Sequence, residues 1–69
     1  MRMVIHIDEF PLELLDGLTK QLAIYAPCEI EVVGNGIEVS CSADLVHLME
    51  VLAITELYSM SRSVRVSNP

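Results

Sequence analysis

The sequence has no tryptophan, one phenylalanine and two tyrosines, so aromatic surface for stacking on bases is scarce. Phe10, Tyr25 and Tyr58 also fall outside the segments that read as strands, whereas a sheet face that stacks RNA bases carries aromatics within its strands. Cationic side chains are few: four Lys and Arg against ten Asp and Glu give a formal net charge of -6. Such a surface repels phosphate backbones and anionic lipids, so neither direct nucleic-acid binding nor membrane binding is expected. Apolar runs are too short for a transmembrane helix. "MRMVIHIDEF" reaches Asp8 and Glu9 too soon for a signal peptide. The expectation is a cytoplasmic protein, complete from its first Met.

Chemical motifs are lacking too. Cys28 and Cys41 form no Cys-x-x-Cys pair and His6 and His47 no His-x-x-x-His pair, so no two metal ligands are preset on one turn. In a cytosolic setting the thiols are expected to stay reduced and to pack as small hydrophobes. "GNG" at 34–36 has neither the Lys nor the Ser/Thr of a phosphate-binding loop. Glu31 and Glu38 could pair for acid and base work, but a flat face gives no enclosure to shift their pKa values. No catalytic residue, cofactor or metal is expected.

What is present is periodicity. "RMVIHI" alternates, with Met3, Ile5 and Ile7 on one face, and reads as a strand. Pro11 suits a first helical turn, and "PLELLDGLTKQLAIYA" follows with Leu14, Leu15, Leu18, Leu22 and Tyr25 in one stripe and Glu13, Asp16, Lys20 and Gln21 opposite. "CEIEVVGNGIEVS" reads as a hairpin. A turn at Gly34-Asn35 would set Glu31 opposite Glu38 and Cys28 opposite Cys41. A turn at Asn35-Gly36 sets Glu31 opposite Ser40 and Ile30 opposite Cys41. Like charges directly opposite are unfavourable by up to about 1 kcal/mol, so the second register is expected, and it separates the cysteines.

Ser42 or Ser40 can cap a second helix, with Asp44 near its positive end, over Ala43 to Tyr58. "SRSVRVS" closes the chain as a last strand. Strand, helix, strand, strand, helix, strand in 69 residues reads as a single α+β domain over 1–69. The order resembles the split βαβ, ferredoxin-like architecture: two layers, an antiparallel sheet in order 4-1-3-2, and both helices on one face. That likeness implies a shape and no activity. The "DEF" loop after the first strand lacks the cysteine pair of metallochaperones and the Arg of acylphosphatase-like enzymes of this topology.

Two surfaces remain. Winding the second helix puts Leu45, Leu48, Met49 and Leu52 together, expected to pack on the sheet. A second series, His47, Val51, Ile54 and Tyr58, lies away from the first. It either faces the first helix or forms a self-association surface, and the latter gives a homodimer. The uncovered sheet face is expected to carry Val4, His6, Glu29, Glu31, Val33, Glu38, Ser40, Ser63 and Arg65. Glu29, Glu31 and Glu38 dominate it and suit a partner protein with a basic surface. The function expected is therefore that of a small acidic, non-enzymatic protein-binding module. It would be a regulator or inhibitor that occupies a partner's surface, including a nucleic-acid-binding one, as small phage and mobile-element inhibitors do. A dimeric small-molecule-sensing regulatory domain of the amino-acid-binding type is the alternative, although "DEFP" lacks the glycine that lets backbone approach a ligand.

Overall fold

The computed structural model describes residues 1–59 and 64–67. β1 (Arg2–Ile7) leads through a 3-10 turn (Leu12–Leu14) into α1 (Leu15–Tyr25). β2 (Cys28–Val33), β3 (Gly36–Ser42), α2 (Leu45–Ser59) and β4 (Val64–Ser67) follow. The strands form one antiparallel sheet in the order β2-β3-β1-β4, which is the expected order read from the other edge. One cluster draws Met3, Ile5, Ile7, Ile37, Val39 and Cys41 from the sheet and Leu18, Leu22, Leu48 and Val51 from the helices. Both helices therefore cover the same face, and the architecture is ferredoxin-like. Residues 61–63 of the expected last strand, including Ser63, lie outside the described residues.

β1 is central because it pairs with β3 on one side and β4 on the other, and its alternation puts one face in the core: Met3, Ile5 and Ile7 are buried while Arg2, Val4 and His6 are not. The chain leaves it through Glu9, whose left-handed backbone (φ 56) precedes a buried Phe10. Pro11 stays extended and its carbonyl accepts from the Leu14 N–H at 3.0 Å. The first turn is thus 3-10, and the α-helix starts later than Pro11. The expected stripe holds, with Leu18 and Leu22 fully buried and Leu14, Leu15 and Tyr25 packed against them.

The hairpin corrects the expected register. Val33 pairs with Gly36, Glu31 with Glu38 and Cys28 with Cys41, so the turn is Gly34-Asn35. Gly34 has φ +60 and Asn35 is not among the positive-φ residues. That pattern matches a type II′ turn, which wants glycine first. Gly36 is unavailable for the turn because it is needed beside β1: a Cβ there would run into the Ile7 carbonyl oxygen. Against that crowding, a like-charge pair costing a few tenths to about 1 kcal/mol decides nothing, least of all where both carboxylates reach solvent.

α2 corrects two further expectations. Its cap is Asp44, not Ser42 or Ser40. The Asp44 carboxylate accepts from the His47 N–H at 3.0 Å and its Oδ1 lies 2.6 Å from His47 Nδ1. The core side is also rotated. Leu48 and Val51 are buried as Leu45 (57%) and Met49 (62%) stay exposed. Thr55 and Ser59 complete the buried arc, their hydroxyls donating to the Val51 and Glu56 carbonyls at 2.8 and 2.7 Å. Backbone partners for their hydroxyls let these two polar side chains be buried without an unsatisfied group.

The hydrogen bonds from His47, the backbone one first, hold the Asp44 carboxyl below its ordinary 3.8. A carboxyl depressed on folding stabilises above the unfolded value, and that contribution is lost as pH falls through the folded value. Asp44→Ala is expected to lower the melting temperature at pH 7 by a few degrees. The difference from wild type should shrink as both are acidified below about pH 4, as thermal melts across a pH series would show.

Candidate functional site

Strand registers sort the uncovered sheet face into rows that cross all four strands. Pairing Glu31 with Glu38, Glu38 with His6 and His6 with Arg65 gives a row that runs from two carboxylates through an imidazole to a guanidinium. A parallel row joins Glu29, Ser40, Val4 and Ser67. The charge is therefore graded, acidic at β2 and β3 and basic at β4. Glu38 is the most enclosed of the three glutamates, its carboxylate 3.4 Å from His6 Nδ1, while Glu29 and Glu31 are exposed. At the basic end Arg65 donates to Asp8 at 3.0 Å, which takes part of the positive charge out of play.

The expected acidic residues are thus brought together, and more tightly than the sequence register allowed. In the expected register Glu31 faced Ser40; here two glutamates stand abreast with Glu29 two pairs along. Repulsion between carboxylates that reach solvent is screened by water and salt, so they tolerate this neighbourhood. Val33, also assigned to this face, is exposed at the hairpin end.

Of the two places expected for the second series, packed within the domain or on a self-association surface, its apolar members take the first. Val51 is 0% exposed, and Ile54 and Tyr58 pack against the core, so Val51, Ile54 and Tyr58 do not form a free surface. A Cβ on Gly17 would lie 3.5 Å from the Tyr58 hydroxyl, which puts this side of α2 against α1. His47 is exposed but serves the helix cap. The outward side is a strip of Val46, Met49, Ala53 and Leu57, flanked by Leu45; the sequence reading turned Leu45 and Met49 inward and left Val46, Ala53 and Leu57 unassigned. The signal was present, since Val46, Ala53 and Leu57 recur at i, i+7 and i+11.

The other feature missed is the thiol pair. Cys28 and Cys41 are direct cross-strand partners, their sulfurs 2.6 Å apart. Burial raises both thiols above their ordinary value, and the neighbouring thiol raises Cys41 further. Both line an open cleft of about 510 Å³ at the start of β2. Among the described residues no group of His, Cys, Asp and Glu comes together that could hold a metal ion, and no helix is long and apolar enough to cross a membrane.

No family model matches the chain, and no curated sequence matches it. Solved structures do. The de novo designed protein Ferredog-Diesel superposes with a TM-score of 0.65 at 14% identity, over 97% of this chain and 82% of that one. The de novo designed protein Foldit4 does so at 0.63 and 15%, over 96% and 91%. At these identities the likeness is one of fold alone.

Proposed function

We propose that this chain is a small acidic binding module that acts without catalysis, occupying a basic surface of another protein as a regulator or inhibitor. The supporting observation is the pairing of Glu31 with Glu38, with Glu29 on the same strand, on a sheet face that neither helix covers. Flat, solvated carboxylates suit electrostatic docking: they speed encounter and select partners by charge. The immobilised chain is expected to retain a basic protein from a lysate of its source cells, less well as salt rises. Replacing Glu29, Glu31 and Glu38 together by Gln leaves the chain net negative and should weaken retention about tenfold or more. Retention indifferent to both salt and the triple substitution would count decisively against an electrostatic contact.

The same reading assigns homodimerisation to the outward strip of α2. A two-fold axis at the level of residue 51 would set Met49 of one copy against Ala53 of the other and Leu45 against Leu57. Large side chains then meet small or equal ones on a self-complementary surface. The strip is small beside the ~800 Å² that each partner contributes to a standard interface, so the dimer should come apart on dilution.

A further inference from the structure

We propose that Cys28 and Cys41 are a redox modification site, oxidised by a low-molecular-weight disulfide to an intramolecular bond that staples β2 to β3. The register supplies the geometry. A two-residue turn makes Val33 and Gly36 a hydrogen-bonded pair, and alternation along the ladder makes Cys28 and Cys41, five pairs on, a non-hydrogen-bonded pair. Such pairs hold their Cα atoms about 4.5 Å apart with side chains close, within the range of about 4.4 to 6.8 Å that a disulfide spans. The sulfurs already touch. The bond needs no backbone movement.

Access and order of reaction follow from burial. Cys28 is half-buried and Cys41 buried, and the cleft that exposes them is walled by Arg2, Pro27, Glu29 and Ser42. Cys28 therefore attacks first. Its thiolate, having given a proton to solvent, attacks one sulfur of the small disulfide RSSR, forming a mixed disulfide and releasing RS⁻. The Cys41 thiolate, formed in the same way, then attacks the Cys28 sulfur, closing the Cys28–Cys41 bond and expelling the second RS⁻. The expelled thiolates take up the two protons, so two protein thiols lose two electrons and RSSR becomes two RSH. Because burial keeps both thiols protonated, thiolate is scarce at neutral pH and the exchange is slow. The modification then records sustained oxidation and passes over brief pulses.

Closure acts on the hairpin. β2 is an edge strand whose sheet neighbour is β3, and both hairpin registers keep its apolar residues on the core side. A bond between positions 28 and 41 is compatible with one register alone, the one that sets Glu31 beside Glu38. Oxidation thus locks the acidic row in place.

The test uses the purified full chain in mildly alkaline buffer with cystamine or oxidised glutathione, followed by acid quench, maleimide labelling, intact mass and a thermal melt. The expected product is monomeric by covalent mass, lighter than the reduced chain by two hydrogens, takes up no maleimide, and yields a peptide joining Cys28 to Cys41. Its melting temperature should rise by about 10 °C and fall back with dithiothreitol, since closing a hairpin-sized loop restricts the unfolded chain. Cystamine should act faster than the anionic glutathione on this acidic surface. Cys28→Ser and Cys41→Ser should each lose the melting shift. Full maleimide uptake after oxidation, a wild type arrested at mixed disulfides, only intermolecular links, or a bond without a melting shift would each overturn the proposal. The wild-type mass and melt decide it even where a serine variant folds poorly.

Discussion

Val51→Asp is expected to unfold the chain at neutral pH, whereas Leu57→Lys, on the same helix, is expected to leave it folded and lower its association state. Val51 is 0% exposed and belongs to the core shared by the sheet and both helices. Replacing it removes about 1.5 to 3 kcal/mol of apolar burial and puts an unpaired carboxylate where charge is costly. A single core of this size rarely supplies more than about 3 to 5 kcal/mol, so the loss exceeds what the fold has. Leu57 is 77% exposed, and a surface change there falls within about 0.5 kcal/mol. Lysine also suits a position near the C-terminus of α2. Circular dichroism with light scattering across a hundredfold dilution checks both variants. A folded Val51→Asp monomer would restore the interface expected from the sequence. A Leu57→Lys chain as associated as wild type would remove the outward strip from the dimer.

The contrast between these two positions also shows where the sequence was readable. β1, α1 and the hairpin announce themselves by period, because each has one apolar face and one polar face. α2 does not. Apolar residues surround it, and its buried arc is centred on Thr55 and Ser59, which no hydropathy reading assigns inward. Their burial depends on bonds to the Val51 and Glu56 carbonyls and on how α2 docks on the rest of the fold, a tertiary matter. The hairpin register was hidden for the same kind of reason. Local terms, the Asn-Gly dipeptide and the Glu31–Glu38 repulsion, favour one turn. The opposing term is the approach of Gly36 to Ile7, 29 positions away in sequence, and only the packed sheet reveals it. The acidic face was legible as a set of residues but not as an arrangement, since the arrangement follows from register. The cysteine pair was lost with it.

Gly36→Ala should therefore cost far more than Gly34→Ala, although Gly34 is the residue with the unusual backbone. A Cβ on Gly34 meets nothing within 4 Å, so the penalty is that of holding a non-glycine residue at positive φ, about 1 kcal/mol. A Cβ on Gly36 would collide with the Ile7 carbonyl oxygen and stand 3.1 Å from both the Ile7 carbonyl carbon and the Asp8 Cα. These are backbone atoms at the end of the central strand β1 and just beyond it, and they cannot rotate aside. Forcing extra volume into packed structure costs about 1 to 3 kcal/mol, occasionally more, and a rigid backbone neighbour belongs at the upper end. Urea melts of the two variants should differ in midpoint, with Gly36→Ala close to unfolded in water, given a total stability of only several kcal/mol. Oxidation adds a second reading: if Gly36→Ala escapes the clash by shifting the hairpin, Cys28 and Cys41 separate and the disulfide yield falls along with stability. Equal costs at the two glycines would mean that β3 does not press on Ile7. The hairpin would then be free to take the register that keeps Glu31 and Glu38 apart.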